Sequence, residues 1–182
     1  SHAGPVLITH WGMSGPAILK LSAWGARKLA EKNYSFKIQI NWLSIKSEEA
    51  AHKMIDKQLP EIRKKKIINA CPFELPHRMW GYVLEKVGVN PNSVWLELSK
   101  KNRNKLLNIL LNDIYEVKGK TTFKEEFVTC GGIKLSDINM TSMESRICKN
   151  LYFAGEVLDI DGITGGFNFQ SAWTTGYIAG KL

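Results

Sequence analysis

Residues Phe36 to Trp42 (Phe-Lys-Ile-Gln-Ile-Asn-Trp) alternate apolar and polar without a break. A period of two puts Phe36, Ile38, Ile40 and Trp42 on one face and Lys37, Gln39 and Asn41 on the other. That predicts a half-buried strand and excludes an all-helical chain. Within a few residues the pattern changes. Ser47 is placed to cap a helix, with Glu48 and Glu49 near its positive end. Ala50, Ala51, Met54, Ile55 and Leu59 supply an apolar stripe, and Pro60 is expected to interrupt or reorient the chain. Pro76 opens a second helix with Met79, Trp80, Val83 and Leu84 on its inner face. Ser99 is placed to cap a third, with Leu106, Leu107, Leu110, Leu111 and Ile114 at helical spacing. The stretch therefore reads as a small all-helical unit set between strand-bearing segments, and the fold class is α+β.

On the N-terminal side, residues 5–9 read as a short buried strand. Ser14 is the expected N-cap and Pro16 sits in the first turn of a helix running to Glu31. Ile18, Leu19, Leu21, Ala26 and Leu29 are available for its packing. On the C-terminal side, Tyr115 to Val117 has strand character and Gly119 turns. Thr121 to Thr129 predicts a long strand ending at Cys130-Gly131-Gly132. Residues 133–150 read as irregular. Leu151 to Ala154 suits a fully buried strand. From Phe169 to Leu182 a helix is expected, with small residues at Ala172, Gly176, Ala179 and Gly180 that let it lie close to a sheet.

A hydrophobic share of 44% in 182 residues supplies a core and excludes a disordered chain. Much of the net charge of +8 comes from Arg63-Lys64-Lys65-Lys66 and from 100–105. Both clusters read as solvated helix faces, and no aromatic residues interleave them, so nucleic acid is not an expected partner. No apolar run reaches membrane-spanning length, so no membrane partner is expected. Cys71, Cys130 and Cys148 are odd in number and scattered, without a C-x-x-C. That disfavours a disulfide framework or a zinc site and fits a reducing cytoplasm. No His/Asp/Glu set has metal spacing, and no Ser-His-Asp arrangement is legible, so no catalytic residue is assigned.

The chemistry concentrates between Leu151 and Trp173: apolar run, Gly155, Glu156, a loop with Asp159, Asp161, Gly162, Gly165 and Gly166, then a helix beginning near Asn168. Each part has a use at a bound dinucleotide. Gly155 allows close backbone approach, and Glu156 can accept hydrogen bonds from sugar hydroxyls. Gly165 and Gly166 permit positive φ. The helix start presents free N–H donors and a positive field, suited to negative charge on the pyrimidine side of a reduced flavin.

This run, with Thr9-His10-Trp11-Gly12-Met13-Ser14-Gly15-Pro16-Ala17 and Val128-Thr129-Cys130-Gly131-Gly132-Ile133, resembles the BaiN-type, aminoacetone-oxidase-like NAD(P)/FAD-dependent oxidoreductases of bacteria. The resemblance implies a split FAD-binding domain, a β-barrel-like domain and a helical insert. On that basis residues 1–46 and 119–150 belong to an incomplete antiparallel β-barrel-like domain. Residues 47–118 form the insert, and 151–182 are the C-terminal strand–loop–helix of the FAD-binding domain. The implied flavin neighbours are Gly155 and Glu156 on the ribitol and pyrophosphate side, Asp159, and Gly165, Gly166 and Asn168 at the ring and helix start. Gly131 and Gly132 fall where barrel and FAD domain would meet. Cys130 stands where a smaller or hydroxylated residue is expected, and reads as a small apolar side chain. His10 is either a substrate or flavin contact or a local cap.

The family's opening strand–G-x-G-x-x-G–helix, which cradles the pyrophosphate, has no counterpart in these 182 residues. The expectation is a piece of a longer enzyme whose partner is the missing N-terminal FAD-binding part. That enzyme would move hydride or electrons through FAD between a nicotinamide, NAD(P)H, or a small-molecule substrate and an acceptor. The piece alone is expected to be inactive and to hold no FAD tightly. The competing readings are a basic helical module that binds nucleic acid through 63–66 and 100–105, and a stand-alone interaction module.

Overall fold

A computed structural model describes residues 1–120 and 128–181. In chain order it contains β1 (Leu7–Thr9), β2 (Gly12–Ser14), α1 (Pro16–Glu31), β3 (Ser35–Ile40), α2 (Glu48–Ile62), α3 (His77–Val87), α4 (Lys100–Asn112) and β4 (Asp113–Lys118). β5 (Ile138–Asn139), β6 (Glu144–Ser145) and α5 (Phe167–Ala179) follow. The class is α+β, and the sheets among the described residues are the two-stranded pairs β1–β2, β3–β4 and β5–β6. No closed barrel is formed among the described residues. No helix there is long and apolar enough to cross a membrane. The expected strand over 121–129 falls largely outside the described residues, and Val128 and Thr129 carry no strand. The chain divides into two compact units, Phe36–Val117 and Ser1–Ser35 with Lys118–Leu182.

The 36–117 unit is built as its periodicities require. β3 buries Phe36, Ile38 and Ile40 partially and exposes Lys37 and Gln39. Ser47 and Ser99 cap α2 and α4, each accepting from the backbone N–H three residues on, Ala50 and Asn102. α2 continues through Pro60 to Ile62, so the expected interruption does not occur. The proline lies in the last turn, where its missing donor affects a single ladder bond and the turn still closes from Arg63 N–H to the Leu59 carbonyl. α4 stops at Asn112, so Ile114 lies on β4 and is exposed instead of completing the helical stripe.

Between the helices lies an aromatic core. Trp80 and Trp95 stack with ring centroids 6.2 Å apart, and Phe73 meets Trp80 edge-on at 6.5 Å. Both indole N–H groups are satisfied: Trp80 donates to the Ile67 carbonyl at 2.8 Å and Trp95 to the Ala70 carbonyl at 2.9 Å. The two tryptophans thereby fix the short 3-10 turn Ile67–Asn69 between them. Ala51, Ile55, Val83, Leu84, Leu106, Leu107 and Leu110 close the core around this stack.

One charge is enclosed in this unit. Asp113, 0% exposed, accepts from Trp42 Nε1 at 3.0 Å, Lys86 Nζ at 2.6 Å and the Tyr115 hydroxyl at 2.6 Å. Burial opposes the Lys86 charge, yet hydrogen bonds to Asp113 and Tyr82 outweigh it and raise the ammonium pKa above its ordinary value. Burial, then the hydrogen bonds to Asp113 and Tyr82, push the Tyr115 phenol well up.

The other unit is more thinly packed. β1 and β2 form a hairpin in which Leu7, Ile8 and Thr9 face Ser14, Met13 and Gly12. Leu7 and Ile8 stay exposed, contrary to the expected buried strand: among the described residues β1 pairs with β2 alone, in a two-stranded ribbon. Ser14 is held in this hairpin, so the N-cap of α1 moves to Gly15, without a side-chain cap bond. Of the apolar residues on α1 only Ala17 is buried. Leu151 to Ala154 does not form a strand; Tyr152 makes one isolated bridge to Glu144, and the run is at most half-buried. Its neighbours are the short β5–β6 hairpin and a small core of Ile138, Met143 and Leu158. Residues 133–150 are otherwise irregular, as expected.

Candidate cofactor site

The Gly-rich run forms a loop tied at three points within the 1–35/118–182 unit. At its start, Gly155 adopts φ 77° and its N–H donates to Thr175 Oγ1 on α5 at 3.0 Å. In the middle, the Asn168 amide grips Gly162 from both sides, accepting its N–H at 2.8 Å and donating to its carbonyl at 3.0 Å. Between these, Asp159 accepts from Arg27 of α1 at 2.5 Å, with Asp161 3.6 Å from the same guanidinium.

The 130–133 segment packs directly on this loop. Ile133 N–H donates to the Val157 carbonyl at 2.9 Å and the Asp159 N–H returns to the Ile133 carbonyl at 3.0 Å. Gly132 is required here: a Cβ would lie 2.6 Å from the Val157 carbonyl oxygen, and φ is 152°. Two separated sequence motifs therefore become one backbone contact.

Gly166 serves the opposite purpose. It is the N-cap of α5 at φ 88°, no side chain caps the helix, and a Cβ built there meets nothing within 4 Å. The 13-residue helix therefore begins without a side-chain cap, beside a glycine whose side-chain position is open. Gly165 precedes it at φ 137°. Phe167 and Phe169 on the first turn are exposed. Glu156 is exposed and makes no side-chain hydrogen bond or ion pair with any described residue.

The expected site residues thus divide by what occupies them. Gly165, Gly166 and Glu156 are open to a ligand. The Asn168 side chain is engaged in holding the loop, Gly155 is anchored by Thr175, and Asp159 is paired with Arg27. Sequence reading missed Arg27 and Thr175, and placed Asp161 in the loop without giving it a role. Arg27 lies 132 residues from Asp159 on a helix with other basic residues, so no local spacing marks it. The charge of Asp159, then those of Cys130 and Asp161, raise the Arg27 pKa. A hydrogen bond to Asp161, then partial burial, raise the exposed Cys130 thiol, with Arg27 pulling the other way. Cys130 therefore sits beside a carboxylate–arginine cluster that favours its thiol form. His10 stacks edge-on against Trp11 in the β1–β2 turn, with centroids 3.9 Å apart, and is exposed.

The fit to a flavin rests on the uncapped α5 start. Its donors, the open space at Gly166 and the free Glu156 carboxylate suit the electron-poor ring system and sugar-like chain of FAD. Among the described residues no set of three or more His, Cys, Asp or Glu side chains is arranged to hold a metal ion.

Residues 1–128 match the family described as HI0933-like protein barrel and H2TH domain. The chain is 30% identical over 177 residues to a ribosomal RNA dihydrouridine synthase of Haemophilus influenzae, covering 94% of this chain and 40% of that protein. It is 27% identical over 173 residues to the Escherichia coli protein of the same name, covering 94% and 40%. A 3-dehydro-bile acid delta(4,6)-reductase of Clostridium scindens is 26% identical over 187 residues, covering 98% and 43%. The chain spans about two fifths of the length of these curated relatives.

Proposed function

Because the chain belongs to the HI0933-like family of flavin-dependent oxidoreductases, we propose that it supplies the flavin-ring side of an FAD site in a cytoplasmic reductase. A further part of the same protein would supply the ADP half. The observation that carries this reading is the start of α5, which no side chain caps and which follows Gly166, whose side-chain position is open. Bound FAD would supply two-electron transfer between a reduced nicotinamide and an organic substrate. The chain's own residues bind and orient. The α5 N–H groups stabilise negative charge at the ring, Glu156 accepts from ribityl hydroxyls, and Asn168 and Arg27 hold the loop in register.

The relatives act, by their names, on a bile acid and on ribosomal RNA. The charge favours the RNA-like substrate: residues 36–117 carry 14 Lys and Arg against 9 Asp and Glu, and the whole chain 25 against 17. The expected small-molecule substrate is kept for the case in which RNA is not bound.

The full-length protein, purified with its flavin spectrum intact, tests the site. Glu156→Ala removes charge-assisted hydrogen bonds worth roughly 1.5–3 kcal/mol each, so FAD affinity falls at least tenfold. The melting temperature of the apoprotein stays unchanged, since Glu156 bonds to nothing else described. Gly166→Val should reduce FAD retention further, because a β-branched residue is strained at φ 88°. Unchanged flavin affinity in both variants overturns the assignment.

A further inference from the structure

The two basic clusters lie about forty positions apart in sequence and read there as separate solvated faces. In the fold they meet. The end of α2 and the Arg63–Lys66 run are laced to residues 93–96 by backbone bonds. Leu96 N–H donates to the Arg63 carbonyl at 2.9 Å, Trp95 N–H to the Lys65 carbonyl at 3.3 Å and Ile67 N–H to the Ser93 carbonyl at 2.9 Å. The chain then turns through Ser99 into α4, whose first turn carries Lys100 and Lys101 and whose next residues include Arg103 and Lys105. A groove of about 380 Å³ opens between these elements, with Arg63 and Arg103 in its wall and Leu59, Pro60, Trp95 and Leu96 as its apolar part.

Three features set this groove apart from an ordinary basic surface. First, it combines two guanidinium groups with an apolar floor, and Leu96 is 72% exposed at it. Guanidinium forks match phosphate oxygens in pairs, and an apolar wall suits the flat face of a base. Second, Arg103 is already oriented: one Nη donates to Asp56 at 2.7 Å and to the His52 carbonyl at 3.1 Å, while its buried Nε has no acceptor. Third, Lys64, Lys65, Lys66, Lys100, Lys101 and Lys105 are all exposed on the same two segments. Of the acids near it in sequence, Asp56 is engaged by Arg103 and Glu97 by the Val94 N–H at 3.4 Å, while Glu61 is exposed at the end of α2.

We propose that the Arg63–Arg103 groove, with the lysine-bearing segments 64–66 and 100–105 that continue from its two arginine-bearing elements, is a docking site for the phosphate backbone of an RNA strand. The inference deepens the RNA-substrate reading of the proposed function and rests on it. The helical unit grips the polymer and the flavin-bearing part acts on a base. This reverses the expectation, drawn from the sequence, that nucleic acid is not a partner. Two linear clusters carry little meaning as helix faces; one groove that joins them has the charge and shape of a backbone site.

Fluorescence anisotropy of the 182-residue chain with a short fluorescein-labelled RNA hairpin tests the proposal, with neither flavin nor nicotinamide present. Binding should weaken steeply with salt. Arg63→Glu with Lys64→Glu should raise Kd at least about tenfold and flatten the salt slope by roughly one for each phosphate no longer neutralised. Lys100→Glu with Lys101→Glu should do the same, while Lys28→Glu on α1 with Lys32→Glu just past its end, with the same charge change, should leave Kd within about twofold. All these side chains are exposed, so circular dichroism should show each variant folded. Equal loss from the α1 variant would reduce the effect to net charge and overturn the site. So would wild-type binding by both groove variants, or tighter binding to phosphatidylserine vesicles than to RNA. Because no cofactor enters the assay, a colourless full-length protein would sink the flavin reading and leave this result standing.

Discussion

The two units use their aromatic residues in opposite ways. In 36–117, Trp80 and Trp95 are 0% and 3% exposed, stacked, and bonded through both indole N–H groups. In the unit formed by 1–35 and 118–182, Trp24 is 77% and Trp173 69% exposed, and Phe167, Phe169 and Tyr177 also face solvent. The first unit encloses its apolar surface within about eighty residues; among the described residues of the second, Ile138, Met143 and Leu158 form a small core with partly buried neighbours, and many large apolar side chains stay exposed. Burial of apolar area drives folding, so most of the chain's intrinsic stability belongs to the helical unit. The candidate cofactor site lies on the other, where exposed backbone donors and aromatic rings remain free to meet a ligand. The well-packed core and the candidate cofactor site thus lie in different units of the chain.

The strongest challenge to that contrast is Trp80→Ala. Loss of the central indole should cost about 3–5 kcal/mol in the helical unit. Hydrogen exchange should show amides in α2, α3 and α4 losing protection together, while amides around Leu158 keep theirs. Equal loss in both units would mean that they fold as one, and the contrast would fail.

Asp113 gives the next largest effect. Asp113→Ala strands Lys86, leaves the Trp42 indole N–H without its acceptor and leaves Tyr115 with Tyr82 as its remaining partner, for a cost of about 3 kcal/mol. The wild-type unit should also be alkali-sensitive. The folded-state pKa values of Lys86 and Tyr115 are both raised, so their stabilisation is complete below their ordinary values of 10.5 and 10.0 and is lost as pH climbs past them. Thermal melts should show the helical transition falling above about pH 10. A transition flat in pH over that range, or one already declining near neutrality, would contradict the network.

The smallest effect falls on the other unit. Asp161→Asn removes the main cause of the raised Cys130 pKa, bringing the thiol toward its ordinary 9.0. Alkylation of Cys130 by iodoacetamide should speed up at mildly alkaline pH, with mass spectrometry separating it from Cys71 and Cys148. Arg27→Ala should act the other way and slow it, since the guanidinium is the one group favouring the thiolate. Identical rates in all three proteins would dissolve the cluster.

Features set by neighbouring residues are legible in the sequence. The alternation at 36–42, the caps Ser47 and Ser99, and the bounds of α1 depend on residues within one turn or one pleat, and the structure follows them. Ser14 has the chemistry of a cap but does not serve as one, because its cross-strand pairing with Leu7 is invisible in local sequence. Leu151 to Ala154 has strand composition but finds only one bridge partner among the described residues. Of the candidate site, the glycines are legible because positive φ restricts residue type. The ties that hold them, Arg27 to Asp159 and Thr175 to Gly155, join residues 132 and 20 positions apart and leave no periodic mark. The meeting of the two basic runs is hidden in the sequence for the same reason.

The distribution of tryptophan also makes the chain its own optical instrument. Trp42, Trp80 and Trp95 lie in one unit, and Trp11, Trp24 and Trp173 in the other. Indoles shielded from water emit at shorter wavelength and resist collisional quenchers, whereas solvated ones emit to the red and are quenched readily. Acrylamide should therefore silence one population first and leave a blue-shifted residual spectrum from Trp80 and Trp95. Melting of the helical unit would be seen as that residual band moving red. Occupation of the α5 face would darken or shift Trp173 alone, so two events in two parts of one chain can be followed without attaching a dye.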